Sequence, residues 1–376
     1  MKTGWVYKDE YNWYDMGRSP GLIPPGRFVE PGDHLDQPDT RRRAASLVHT
    51  SGLAERLTPL RVAPASDTEL LRVHTRDYLD FLIEQDALPK GGYADRGIWR
   101  TPFGPGDLEI ARLSAGGVVA AARAVMEGTV QNAYALVRPP GHHALPDRGM
   151  ALCVFANVAL AVQAVRHEYG VSRVAVIDWD VHHGNGTQEI FWDDPDVLTV
   201  SIHQDRLLQL STGDADEVGG PGALGACVNV PLPPGSGTHA YREAFRRIVI
   251  PRVRDFGPEL IVVASGYDAS FFDPNGHMLL GVRDYRWMTE QVMELAAGTC
   301  EGRLVVAHEG GYSPWYVPFC MLAVVETLAG ELTEVGDPVG FIVEGNPFQE
   351  ISPDQARAVD RVEAALNAAT HPRPAS

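Results

Sequence analysis

Arg173-Val-Ala-Val-Ile-Asp178-Trp-Asp180-Val-His182-His183-Gly-Asn185-Gly-Thr-Gln188 is the stretch whose reading decides the fold. Its first half, Val174 to Ile177, is a short β-branched apolar run, the pattern of a strand buried on both faces. Polar residues begin where that run ends. Asp178, Asp180 and His182 alternate with Trp179 and Val181, so extended backbone projects all three to one side. Two carboxylates and an imidazole at a strand's end suit a divalent metal, and Gly184-Asn185-Gly186 lets the chain turn tightly beneath them. The stretch reads as half of a zinc site.

The same arrangement, a short apolar run followed by a polar cluster and then a helix, recurs along the chain. Tyr134 to Val137 leads into Arg138-Pro-Pro-Gly-His142-His143, with a helix over Asn157 to Tyr169. Val197 to Ile202 leads into His203-Gln204 and an irregular glycine-rich loop, Leu260 to Ala264 into Ser265-Gly-Tyr-Asp268-Ala-Ser270, and Leu304 to Ala307 into His308-Glu309-Gly310-Gly311-Tyr312. Strands alternating with helices predict an α/β fold, a central parallel sheet with helices on both faces. Ligands of such sheets bind beyond the carboxyl ends of the strands, so clusters distant in sequence meet in one crevice.

Outside that core, helices are predicted from Arg41 to Gly52, in two short pieces over Asp67 to Asp86 with a turn at Thr75, from Leu108 to Met126, and from Pro353 to Thr370. Residues 1–40 hold Pro20, Gly21, Pro24, Pro25, Gly26, Pro31 and Gly32 and read as a long ordered loop, a surface through which copies of the chain can form a homo-oligomer. Residues 371–376 read as a frayed tail. With no dividing linker, residues 1–376 are taken as a single catalytic domain.

Composition narrows the function. The 376 residues are 44% hydrophobic and 22% charged, ordinary for a soluble globular protein. With 32 basic and 49 acidic residues the formal net charge is −17, which disfavours nucleic acid and anionic membranes as partners. Cys153, Cys227, Cys300 and Cys320 are far apart with no C-x-x-C pair, so neither a disulfide framework nor a cysteine-bound zinc is expected. No apolar run approaches the ~18 residues of a membrane span, and the chain reads as cytoplasmic.

A catalytic zinc takes three protein ligands and keeps one position open. Asp180 and His182 supply two, and Asp268 is the natural third; alone it would read as a helix cap. Asp178 suits a supporting role. His142 and His143, on a rigid Pro-Pro-Gly turn, suit general acid and base work near neutral pH, with Asp178 and Asn185 as their partners. Tyr312 offers a phenol to an oxyanion.

These motifs, R-P-P-G-H-H-A (Arg138 to Ala144), D-W-D-V-H-H-G-N-G-T-Q (Asp178 to Gln188), S-G-Y-D-A-S (Ser265 to Ser270) and E-G-G-Y (Glu309 to Tyr312), resemble the zinc-dependent histone deacetylase family, most closely its bacterial class II histone deacetylase-like amidohydrolases. The likeness runs from about His34 to Leu328. It implies a three-layer arginase-deacetylase fold, one zinc on Asp180, His182 and Asp268, catalytic His142, His143 and Tyr312, and supporting Asp178 and Asn185. It further implies structural potassium at Asp178, Asp180, His182, Ser201 and Ile202, with Phe191, Asp194 and Val197 matching part of a second potassium site. Asn185, where class I members carry Asp, places the chain on the class II side. Related two-manganese ureohydrolases need carboxylates where this chain has Gly184 and Ser270, so one metal is expected.

The substrate residues depart from the family. Ala151-Leu152-Cys153 replaces Gly-Phe-Cys, Leu208 replaces a second channel aromatic, and Asn275 stands where the family has Leu, or Glu in polyamine-selective members. Gly310 completes the set of substrate-contacting positions. The activity implied is hydrolysis of an N-acyl amine, either a peptide acyl-lysine or a small molecule such as an acetylpolyamine. A non-catalytic acyl-amine binding protein is the alternative of another class. Asp214 to Glu217 reads as a solvated acidic run.

Overall fold

The β-branched runs form strands whose side chains are buried on both sides. The computed structural model describes residues 2–19, 25–26, 28–96, 101–208 and 211–370. The expected frayed tail and Pro20, Gly21 and Pro24 of the N-terminal loop lie outside the described residues. In chain order the strands are β1 (Thr3–Val6), β2 (Thr58–Pro59), β3 (Gly92–Tyr93), β4 (Pro102–Phe103), β5 (Asn132–Ala135), β6 (Val174–Asp178), β7 (Val197–Gln204), β8 (Cys227–Leu232), β9 (Leu260–Ser265) and β10 (Leu304–His308). Eight of them form one sheet in the order β2-β1-β5-β10-β9-β6-β7-β8, and every pairing in it is parallel. β3 and β4 form a separate antiparallel ribbon.

Alternation along the strands fills two cores. Ala175 and Ile177 of β6 face helices Asp39–Thr50, Val282–Thr299, Val317–Ala329 and Pro353–Thr370, while Val174 and Val176 face Asp107–Met126 and Asn157–Tyr169. Helix, sheet and helix are thus stacked in three layers, as the alternating pattern requires. The helices at Asn157–Tyr169 and Pro353–Thr370 occupy the spans predicted, and Thr75 caps Arg76–Asp86 by accepting the N–H of Tyr78. No helix of the described residues is long and apolar enough to cross a membrane. All four cysteines are free and buried.

Three expectations change. Residues 1–40 are not all loop: Thr3–Val6 precedes the Pro/Gly cluster and inserts as β1 between β2 and β5, a pairing only the tertiary fold supplies. The strand expected over residues 134–137 is Asn132–Ala135, because Arg138 must leave the ladder to reach Asp36. The glycine-rich region after Gln204 gives way to β8, whose Asn229 and Pro231 obscure the strand pattern.

The remaining N-terminal loop is pinned by buried charge. Asp36 accepts from Arg138 Nε and from Arg41 Nη1, both at 2.8 Å, and Arg138 Nη1 also donates to the Tyr14 carbonyl at 2.8 Å. All three charged side chains are buried. Removing one partner of such a group typically costs about 3–5 kcal/mol.

A second buried pin is titratable. His74 faces the Leu145 carbonyl through Nδ1 at 3.1 Å and accepts the Ala156 N–H at Nε2 at 3.0 Å, bracketing residues 145–156. Burial holds its imidazole neutral, down to about 4 from an ordinary 6.5. The unfolded chain therefore binds a proton below pH 6.5 that the folded chain refuses until about pH 4, so stability is full above pH 6.5 and falls across that window. Between pH 6.5 and 5 the expected loss from this group is about 2 kcal/mol, to be measured by urea unfolding. His74→Gln should show a correspondingly shallower decline.

Candidate metal centre and active site

Sheet register assembles the site. Asp178 ends β6 opposite Ala264 of β9, so the segments just beyond these strands emerge side by side. They bring together Asp180, His182 and Asp268, whose candidate ligand atoms lie within 4.8 Å of one another with all three side chains buried. His182 Nδ1 is 3.0 Å from Asp180 Oδ1 and 3.1 Å from Asp268 Oδ2. The remaining oxygens are occupied: Asp180 Oδ2 accepts the Gly310 N–H at 2.8 Å and Asp268 Oδ1 the Val181 N–H at 2.9 Å. Asp268 Oδ2, by contrast, is buried and faces only the His182 ring, with no well-aligned hydrogen bond. Burial disfavours charge on His182, yet Asp180 and Asp268 outweigh it and push the imidazole up to about 10. Such a site calls for a cation, and two carboxylates with one imidazole nitrogen fit a three-ligand metal centre.

Backbone crowds the same carboxylates. A Cβ on Gly310 would stand 2.2 Å from Asp268 Oδ2 and 2.6 Å from Asp180 Oδ2, and one on Gly266 would stand 2.1 Å from Asp180 Oδ2. Glycine is required here by close approach. Gly310, expected to contact substrate, is placed against the carboxylates of Asp180 and Asp268.

Beside the triad the rings of His142 and His143 lie 4.0 Å apart. His142 Nδ1 meets Asp178 Oδ2 at 2.9 Å, and His143 Nδ1 meets Asn185 Oδ1 at 2.7 Å, the two partners the sequence suggests. These partners give the pair opposite character. Burial works against charge on both, but Asp180 and Asp178 hold His142 well above the ordinary imidazole range. With no carboxylate bonded to it and His142 and His182 nearby, His143 stays well below that range.

Tyr312 is 8% exposed, and its phenol is pushed up by burial and then by Asp268 and Asp180. Its N–H is held by Asp273 Oδ2 at 2.7 Å.

With this geometry in view, residues 34–328 match the histone deacetylase domain. The chain belongs to the histone deacetylase family. It is 46% identical to the histone deacetylase-like amidohydrolase of Pseudomonas aeruginosa, over 91% of this chain and 90% of that one. It is 36% identical to histone deacetylase 8 of Arabidopsis thaliana, over 93% and 90%. It is 35% identical to the polyamine deacetylase HDAC10 of Mus musculus, over 83% of this chain and 46% of that one. The crystal structure of the HDA15 HD domain superposes with a TM-score of 0.83 at 30% identity, covering 97% of this chain and 95% of that one. The fold is therefore the deacetylase type expected.

The positions expected to line a substrate channel are aliphatic. Ala151 and Leu152 turn with φ of +44° and +75°, unusual for residues with a Cβ, held by the paired Met150 and Cys153 backbones. Leu208 packs on Leu145, Met150 and Ala151. Asn275, expected at the pocket rim, has its amide 3.1 Å from Nε2 of His182. Among the positions matched to potassium, Ser201 pairs with Asp178 across β6 and β7, while Asp194 forms an ion pair with Arg166, and the Phe191 carbonyl accepts the Asp194 N–H at 3.0 Å.

Two supporting residues escaped the sequence reading. Glu309 Oε2 accepts the N–H groups of Gly141 at 2.7 Å and His142 at 3.1 Å, fixing the Pro-Pro-Gly-His-His turn, and burial pushes its carboxyl up to about 7. Asp273 secures Tyr312. Glu309 was visible as the first letter of E-G-G-Y, whereas Asp273 looks like any turn former before Pro274.

Gly310→Ala should weaken metal affinity by at least about 10-fold while the far-UV circular dichroism spectrum stays native, because the new methyl displaces the two carboxylates of the candidate triad. Competition with a chromophoric chelator reads the change.

Proposed function

We propose that the chain is a zinc-dependent amidohydrolase that removes an acyl group from a linear N-acyl amine. The observation that carries this reading is the unequal histidine pair set against the Asp180, His182 and Asp268 triad. A pocket that merely bound acyl-amines would need no neighbouring imidazoles of opposite protonation. Asp180 and Asp268 through oxygen and His182 through Nδ1 would hold zinc, which when bound supplies Lewis-acid chemistry toward a water and the amide carbonyl.

The chain's own groups do the rest. His143, neutral and oriented by Asn185, takes a proton from the attacking water and returns it to the amine nitrogen as the carbon–nitrogen bond breaks. The products are a carboxylic acid and a free amine. His142, charged through Asp178 and Asp180, contributes positive potential and keeps His143 neutral. Tyr312 donates its hydroxyl to the carbonyl oxygen as negative charge develops there, and its raised pKa keeps that proton in place.

The aliphatic walls at Leu152 and Leu208 support a substrate with a hydrocarbon stem, an acyl-lysine or an acylated polyamine. Potassium at Asp178, Asp180, His182, Ser201 and Ile202, and at Phe191, Asp194 and Val197, completes the reading. At the second position Arg166 already occupies the Asp194 carboxylate, so backbone oxygens are the donors that remain.

Tyr312→Phe should lower kcat by about 100-fold or more with little change in KM, as expected for an oxyanion donor. Turnover would be followed on an acetyl-lysine peptide and on acetylspermidine; an unchanged kcat removes Tyr312 from the chemistry. Chelation should abolish hydrolysis and added zinc restore it.

A further inference from the structure

His182 has two ring nitrogens, and the reading above uses one. Nδ1 faces the carboxylates of Asp180 and Asp268 at 3.0 and 3.1 Å. Nε2 faces the amide nitrogen Nδ2 of Asn275 at 3.1 Å. A neutral imidazole that offers a lone pair at Nδ1 carries its proton on Nε2, and that N–H needs an acceptor. The oxygen and nitrogen of an asparagine amide exchange places by a half-turn, so Asn275 can present Oδ1 to it.

The loop carrying Asn275 is held on three sides. Asp273 Oδ1 accepts the N–H groups of Asn275 at 2.9 Å and Gly276 at 3.4 Å. Asp273 Oδ2 accepts the Tyr312 N–H at 2.7 Å. Gly276 lies directly on the Asp268 backbone, since a Cβ there would stand 2.0 Å from the Asp268 carbonyl oxygen. One buried carboxylate therefore ties the asparagine to the residue bearing the phenol, and the loop as a whole rests on a metal-ligand residue.

We propose that Asn275 is a positioning residue for the metal centre: its amide, with Oδ1 turned to the ring, anchors Nε2 of His182 so that the Nδ1 lone pair points at the cation position shared with Asp180 and Asp268, and Asp273 holds Asn275 in place. The inference rests on the metal-centre reading and adds to it an outer partner that fixes ring orientation and tautomer. A hydrocarbon side chain at 275 would leave the Nε2 proton without this acceptor, whereas a carboxylate would accept it more strongly.

The test measures zinc affinity of the zinc-free full chain by competition with a chromophoric chelator, for the wild type, Asn275→Leu, Asn275→Asp and Asp268→Ala. Asn275→Leu should bind zinc about 10-fold or more weakly, and Asn275→Asp at least as tightly as the wild type. In nitrogen-15 spectra of the zinc-loaded wild type, the His182 Nε2 proton should be protected from solvent exchange, and in Asn275→Leu it should exchange freely. Zinc affinity of Asn275→Leu within about twofold of wild type, or equal weakness of the Leu and Asp variants, overturns the inference while leaving the metal centre intact. If Asn275→Leu does not fold, Asn275→Ala against Asn275→Asp makes the same comparison. Wild-type affinity undiminished in Asp268→Ala would instead overturn the metal-centre reading itself.

Discussion

Asp180 and Asp268 both direct an oxygen at Nδ1 of one imidazole in a space closed to water. Two like charges so close in a poorly polarisable interior repel strongly, and a positive charge between them relieves the repulsion. The raised pKa of His182 expresses that demand as an attraction for a proton, and a divalent cation answers it more fully. The rest of the architecture follows from keeping these carboxylates where they are. β6 and β9 must be neighbours so that their ends converge, and the residue arriving from β10 must be glycine so that backbone can touch both acids.

Around that centre, further buried carboxylates hold the loops. Glu309 grips the turn that carries the histidine pair, Asp273 the backbone of Tyr312, and Asp36 the arginines that fasten the N-terminal loop to the end of β10. The last link is direct: Arg41 Nη2 donates to the Glu309 carbonyl at 2.6 Å. A charge buried for structural reasons thus reaches the residue that positions the turn bearing the histidine pair. The long loop is functional in this sense, although its role is to brace the site.

The turn at Ala151 and Leu152 follows different rules. It runs through backbone conformations that disfavour a Cβ, and the packing of Leu145, Met150 and Leu208 around Ala151 supports it.

Much of this was legible in the amino-acid order. The β-branched runs at Val174, Leu260 and Leu304 specify buried parallel strands, the alternation of Asp178, Asp180 and His182 specifies their common side, and Pro-Pro-Gly before His142-His143 specifies a stiff turn. These are local consequences of side-chain period and backbone stiffness, and they survive without knowledge of neighbours. What tertiary structure alone decided are the contacts between segments far apart. Thr3–Val6 is a strand because β2 and β5 flank it, Gly310 is a spacer because two acids converge on it, and Asn275 points at a histidine 93 positions away because Asp273 bends the chain there. A sequence fixes what each segment can do locally, but which groups share a buried volume depends on the packing of the whole sheet, and there the low dielectric sets the chemistry.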